Sequence, residues 1–285
     1  MNLSSKGLLT ALNIFVTLDH NYLAPLRVML YSLFQNNPGE HFDIYAAIDD
    51  LESQDWEELC AFCGRGGAAL YPVTMDETSF ADAPMVRYYP RAMYYRLLAA
   101  QVLPQDLDRV LYLDPDILII NSIRPLYSID FQGMLYAAAM HRGIIGVSQP
   151  LNMMRLPNYE GEVYFNSGVL MMNLPLLRTQ TTPEEMFAYV EKYRNKLVLP
   201  DQDILNGLYG SRILQLEEVL WNYDAKKYDS YYIASQGETN LDWTMAHTAI
   251  IHFNGKEKPW HHSYRGRYAV LYKHYMSLTR RWAQG

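Results

Sequence analysis

At 285 residues the chain is long enough for one large α/β domain, or for one domain with a helical annex. Hydrophobic residues make up 49% and charged residues 19%, which excludes a disordered chain. The 24 basic and 31 acidic side chains leave a net charge of −7, which argues against general nucleic-acid binding, since that needs a basic face to release counterions.

In chain order, the apolar, β-branched run at 12–18 predicts a buried strand. A helix is expected from about Leu23 to Phe34, closed by Asn36-Asn37-Pro38-Gly39. Residues 42–48 read as a second strand, followed by a helix ending near Cys63, a glycine turn at 64–67 and a third strand at 69–74. This alternation predicts a parallel sheet with helices on both faces. Cys60 and Cys63 sit on the second helix with no further pair of metal ligands near in sequence, so they are expected to be reduced thiols. Residues 91–100 are helical in pattern and stopped by Pro104; 109–113 form a strand that runs into Asp114-Pro115-Asp116. Further strands are expected at 134–140 and 162–173. Thr182-Pro183-Glu184-Glu185 combines a capping hydroxyl, a first-turn proline and acids at the positive end of the helix dipole, and the helix should run to about Lys196. Another opens at Pro200-Asp201-Gln202-Asp203 and should end at Gly207 or Gly210. A last strand at 249–253 precedes a helical tail from about Tyr264. The chain has neither a secretory n-region nor an apolar run of about 18 residues, so a cytoplasmic protein without a membrane anchor is expected.

Four groups of residues can carry chemistry. Asp114 and Asp116, two apart on an extended chain, point to one side. At the end of a buried strand they face the crevice where open α/β sheets bind ligands, and such oxygens suit Mg²⁺ or Mn²⁺. His252 leaves an apolar strand into Phe253-Asn254-Gly255-Lys256-Glu257-Lys258. It is either a satisfied core histidine or an imidazole that tips an oxygen site toward Mn²⁺. Gly255 lets backbone N–H groups approach an anion, and Lys258 offers a point charge for a phosphate. Asp201-Gln202-Asp203 reads as an acidic helix cap or as polar groups aimed at sugar hydroxyls and a reacting carbon. Asn166 and Ser167 interrupt an apolar strand, as a bulge or a close backbone approach to a ligand.

Together these residues resemble the retaining glycosyltransferases of family 8. The resemblance runs from Asn13 to about Trp260. It rests on Leu18-Asp19-His20-Asn21-Tyr22, Tyr94-Tyr95-Arg96-Leu97, Tyr112-Leu113-Asp114-Pro115-Asp116, Phe165-Asn166-Ser167-Gly168-Val169, Asp201-Gln202-Asp203-Ile204-Leu205-Asn206 and His252 through Trp260. It implies an α/β GT-A fold: a Rossmann-like, mixed, mostly parallel sheet with helices on both faces. The catalytic domain is read over residues 1–262 and a basic aromatic helical tail over 263–285. It also implies a UDP-sugar donor, UDP-glucose or UDP-galactose, and a Mn²⁺ or Mg²⁺ cofactor held by Asp114, Asp116 and His252. Thr17, Asp19 and Asn21 would contact the uracil and ribose, and Asn254, Gly255 and Lys258 the phosphates. Tyr89, Arg96, Asn166, Ser167, Asp201 and Gln202 would line the rest of the nucleotide sugar. Gln202 is expected close to the anomeric carbon, with Asp203 and Asp201 as further catalytic candidates. Ser167 stands where the family typically has alanine, and His20 where many members have an acid. The implied acceptor is a glycan or a lipid-linked hydroxyl.

In the tail, Tyr268, Leu271, Tyr272, Tyr275, Leu278 and Trp282 recur at helical spacing. Arg265, Arg267, Lys273, Arg280 and Arg281 accompany them, with no acid after Glu257. The tail either packs on the domain or docks on anionic lipid at the inner face of a membrane, as some family members do. Two other functions compete. A nucleotidyltransferase would want a glycine-rich basic loop where Asp19-His20-Asn21-Tyr22 stands, and a non-catalytic sugar-binding protein would have little use for a metal triad beside Lys258.

Overall fold

The computed structural model describes residues 11–49, 51–74, 95–140 and 163–284. Its centre is a seven-stranded sheet made of β1 (Leu12–Asp19), β2 (Phe42–Asp49), β3 (Ala68–Pro72), β4 (Arg109–Leu113), β6 (Tyr136–Met140), β7 (Phe165–Asn173) and β8 (Ile213–Leu216). The spatial order is β3-β2-β1-β4-β7-β6-β8. The first four strands are mutually parallel, and β6 is parallel to β8. Strand β7 runs antiparallel to both β4 and β6. A mixed, mostly parallel sheet was the expectation; the reversal of β7 leaves no trace in the sequence, because a strand covered on both faces is apolar in either direction.

Helices cover both faces. Along β1, Leu12, Ile14, Val16 and Leu18 enter the core beneath α1 (Leu23–Gln35) and α2 (Ser53–Arg65), while Phe15 enters the opposite one. In β4, Leu111 and Leu113 face the first core, and Val110 and Tyr112 the second. The second core is closed by α3 (Leu174–Gln180), α4 (Pro183–Tyr193) and α5 (Pro200–Tyr209). Helix α4 begins as its sequence predicts, with the Glu185 N–H donating to Thr182 Oγ1 at 3.2 Å and Pro183 in the first turn. It ends at Tyr193, one turn short of the expected Lys196. Helix α5 continues past Gly207, so that residue is no terminator: its bare Cα lies against the Tyr189 phenol, where a Cβ would collide. Of the helix expected over 91–100, residues 91–94 lie outside the described residues; 95–97 are helical, and a break at Leu98 separates them from the turn Ala99–Val102. Cys60 and Cys63 are free thiols.

A second, three-stranded sheet has the order β5-β10-β9, from β5 (Ile117–Ile119), β9 (Tyr223–Asp224) and β10 (Ile250–His252). Strands of two and three residues are too short to carry a periodic signal, which is why β5 and β9 escape the sequence reading. In this sheet His252 pairs with Ile117 on one side and Asp224 on the other.

Two short helices, α6 (Tyr228–Ala234) and α7 (Leu241–His247), precede β10. The tail helix α8 (Ala269–Gln284) starts five residues after Tyr264. Its aromatic stripe packs on the domain. Tyr275 and Trp282 meet Tyr31 edge-on at 6.4 and 5.5 Å, and Tyr272 is buried 5.2 Å from Phe253. Arg265, Arg267, Arg280 and Arg281 stay exposed. No helix among the described residues is long and apolar enough to cross a membrane.

Candidate active site

The parallel strand β4 delivers Asp114 and the turn to Asp116 at its carboxyl end, and the second sheet brings His252 alongside. Two backbone hydrogen bonds lock this corner: Asp114 N–H to Gly168 O at 2.9 Å, and Phe253 N–H to Asp116 O at 3.0 Å. His252 Nε2 thus lies 3.1 Å from Asp116 Oδ1, across 136 positions of sequence, and 3.7 Å from Asp114 Oδ2. One ligand atom from each of the three falls within 4.8 Å of the others.

Cationic side chains flank the acids. Arg96 donates to Asp114 Oδ1 at 2.5 Å and to Ser167 Oγ at 2.9 Å, and pairs with Asp201. Its guanidinium lies 4.4 Å from the ring centre of Tyr112. The Tyr112 hydroxyl donates to Asp114 Oδ1 at 2.7 Å, and Thr17 Oγ1 meets it at 3.0 Å. Ser167 Oγ donates to Asp201 at 2.8 Å. Lys258 pairs with Asp116 and donates to Phe253 O at 3.1 Å.

Burial, the largest influence, lifts the Asp114 carboxyl above the usual carboxylate range against the pull of Arg96. Burial acts the same way on Asp116, but His252 and then Lys258 together outweigh it and hold that carboxyl well below its ordinary value. For His252 burial favours the neutral ring, yet Asp116 and then Asp114 raise its proton affinity. The three carboxylates of Asp114, Asp116 and Asp201 face two permanent cations, Arg96 and Lys258, so one negative charge is left over when His252 is neutral. A cation is the natural remedy for a buried net charge of that sign.

The donor set fits a divalent ion. Two carboxylates and one imidazole suit Mn²⁺ or Mg²⁺, and ligands about 2.1 Å from a shared ion at right angles stand about 3 Å apart, as His252 and Asp116 do. The neighbouring Gly168 leaves room for the group: a Cβ there would run into the His252 ring and the Asp114 carboxylate.

The family model of glycosyl transferase family 8 matches residues 13–263. This chain belongs to glycosyltransferase family 8. The family 8 chain is 28% identical over 259 residues to a lipopolysaccharide 1,2-glucosyltransferase of Escherichia coli, covering 87% of this chain and 73% of that protein. It is 26% identical over 270 residues to general stress protein A of Bacillus subtilis strain 168, covering 92% of each. A solved structure of the galactosyltransferase LgtC in complex with donor and acceptor sugar analogs superposes with a TM-score of 0.77 at 24% identity, over 94% of this chain and 96% of that one. The enzyme is therefore a glycosyltransferase with a GT-A fold.

Within this family 8 enzyme the structure gathers Asp114, Asp116, His252, Lys258, Arg96, Ser167 and Asp201 into one cluster. Asn166 and Gln202 border it: Asn166 Nδ2 donates to Gln202 Oε1 at 3.1 Å. Thr17 is placed on the buried underside, bonded to Tyr112, whereas Asp19 and Asn21 stand exposed at the end of β1, with the Asn21 N–H donating to Asp19 Oδ1 at 2.8 Å. Asn254 and Gly255 follow His252, and Gly255 has a φ of 84°, which a side chain would resist. Tyr89 lies outside the described residues.

Asp203, expected as a further catalytic candidate, is engaged by the backbone before α5. It is fully buried; its oxygens accept the N–H groups of Val198 and Leu199 at 2.7 and 3.0 Å and the hydroxyl of Tyr164 at 2.5 Å. Those bonds pin the start of α5, on which Asp201 and Gln202 ride.

Three contributors were missed by the sequence reading. Tyr112 and Tyr22 sit inside quoted motifs but are given no role of their own there. Tyr22 packs edge-on against Trp260 at 5.7 Å, joining the β1 loop to the loop of Lys258. Asn222 gave no signal beyond being a polar residue between Trp221 and Tyr223, yet it is buried with Oδ1 at 2.8 Å from His252 Nδ1.

Proposed function

We propose that this glycosyltransferase moves glucose or galactose from a UDP-sugar to a hydroxyl of a glycan or lipid-linked acceptor, with retention at the anomeric carbon. The observation that carries the reading is the meeting of Asp114, Asp116 and His252 within 4.8 Å, between the cations Arg96 and Lys258. The relatives named as lipopolysaccharide glucosyl- and galactosyltransferases support the choice of hexose. Residues 1–262 serve as the catalytic domain and 263–285 as its tail.

Asp114, Asp116 and His252 would hold Mn²⁺, or Mg²⁺ in its place. That ion, when bound, supplies positive charge to the diphosphate of the leaving group. Lys258 would add a fixed point charge to the same diphosphate, and the Asn254-Gly255 backbone would present N–H groups to it. Asp19 and Asn21, exposed at the end of β1, would bind the uridine. Arg96, Ser167, Asn166 and Asp201 orient the sugar. Gln202 Nε2 is buried and has no hydrogen-bond partner among the described residues, a polar demand that a donor oxygen can meet. As the bond from the anomeric carbon to phosphate lengthens, the carbon gains oxocarbenium character. The Asp201 carboxylate and the Gln202 amide are the groups that steady it. Asp203 acts by positioning α5.

A screen of UDP-sugars for release of UDP tests this reading. The expected result is turnover of UDP-glucose or UDP-galactose that needs Mn²⁺ and falls by about 10²-fold or more in Gln202→Ala. Turnover at the wild-type rate in that variant would remove Gln202 from the mechanism.

The exposed Arg280 and Arg281 on the outer side of α8 support peripheral contact with anionic lipid on the cytoplasmic side of a membrane. The charges, not the packed aromatic rings, would make it. Co-sedimentation with vesicles containing phosphatidylglycerol should drop when both arginines become glutamine; equal partitioning removes the contact.

A further inference from the structure

We propose that Asn222 is a positioning residue for His252: it fixes the imidazole with its proton on Nδ1, so that the Nε2 lone pair faces Asp114 and Asp116. Asn222 in turn takes its orientation from the backbone N–H of Gly168, through the side chain of Asn166.

The orientation follows from donors that have no choice. The Gly168 N–H can only donate, and it reaches the Asn166 side chain at 2.8 Å. The atom there must be Oδ1. The same Oδ1 receives Asn222 at 2.8 Å, so Asn222 presents Nδ2 to it. The remaining atom of Asn222 is then Oδ1, and it lies 2.8 Å from His252 Nδ1. An oxygen there only accepts, so Nδ1 carries the proton. In the neutral ring Nε2 is left with a lone pair 3.1 Å from Asp116 Oδ1. Two electron-pair donors at that separation repel unless a cation lies between them. The three linked side chains are buried: Asn166 is 7%, Asn222 3% and His252 2% exposed, so water does not compete for the bonds.

The same N–H sets a second group. With Oδ1 committed, Asn166 turns Nδ2 to Gln202 at 3.1 Å, and the Ser167 N–H approaches the same Gln202 atom at 3.4 Å. That atom must be Oε1. The Gly168 N–H therefore sets the tautomer of the imidazole and, together with the Ser167 N–H, the orientation of the Gln202 amide.

The value of this tautomer for metal binding rests on the function proposed above; the tautomer itself does not. Nitrogen-15 NMR of the full chain with labelled histidine reads it directly in metal-free protein at about pH 9, above the imidazole range. The His252 signals are assigned by their loss in His252→Gln. The wild-type ring should show the Nδ1–H pattern. In Asn222→Ala it should populate Nε2–H, and calorimetric Mn²⁺ affinity in the presence of UDP should fall by about 10–100-fold. Asn222→Asp keeps an acceptor toward Nδ1 and should keep the tautomer, although it no longer offers a donor to Asn166 Oδ1. An Nε2–H ring in the wild type overturns the proposal even if the alanine variant cannot be folded. So does an Nδ1–H ring that persists unchanged in Asn222→Ala. If the wild-type ring is Nδ1–H and no divalent ion binds with or without UDP, the role of Asn222 in orienting the ring stands and the metal reading falls.

Discussion

A single missing methyl group leaves room for the Asp114–His252 corner. At Gly168 a Cβ would strike both the His252 ring and the Asp114 carboxylate, two of the three candidate ligands. Gly168→Ala should therefore push the ligands apart and weaken Mn²⁺ binding in the presence of UDP by at least about tenfold, which is about 1.4 kcal/mol. Titration calorimetry measures it, with circular dichroism to show the fold retained. Unchanged affinity would mean that the three side chains do not share an ion. At this scale the sequence announces candidate ligands at strand ends, such as Asp114, Asp116 and His252, with Lys258 in the loop beyond. It is silent on Asn222 and Tyr112, whose work is to hold other side chains. Their partners lie 30 positions away in the case of Asn222 and His252, and 95 in the case of Tyr112 and Thr17. Asp203 shows the opposite ambiguity. A carboxylate in a first helical turn reads equally as cap or catalyst, and its bonds to Val198, Leu199 and Tyr164 favour the first.

Those bonds also state what α5 needs. From the first turn Asp203 reaches back to two N–H groups that precede the helix, those of Val198 and Leu199. Asp203→Asn exchanges a charged acceptor for a neutral one and should cost about 2–3 kcal/mol of stability in urea unfolding. UDP affinity of the folded fraction should stay near wild type. A variant of full stability that has lost all transfer activity would instead make Asp203 catalytic. Among the elements, β1, α1, β2, α2 and β3 are legible because period-2 and period-3.6 patterns persist for long enough there. The boundaries of α4 and α8 are less so, since the last turn of a helix is fixed by what it packs against. The three-residue β5 and two-residue β9 are invisible for lack of length, yet β10 could not place His252 without them.

The whole molecule works by bringing distant segments to one end of a sheet. The parallel strands β1 and β4 carry their loops to the same end, and the reversed β7 passes Asn166 to Gly168 beneath Asp114. The small sheet adds His252, and α8 closes its back through the Phe253–Tyr272 contact. An α/β class follows from the alternation of patterns, but the strand order and the closing role of the tail are tertiary facts. The most direct test of the whole is calorimetric titration of UDP into the enzyme with and without Mn²⁺, repeated in Asp116→Ala. Binding should be strong only with the ion, and the variant should lose that dependence along with the affinity. UDP that binds equally well without any divalent ion, or in Asp116→Ala, would contradict a metal held by Asp114, Asp116 and His252 at the heart of the site.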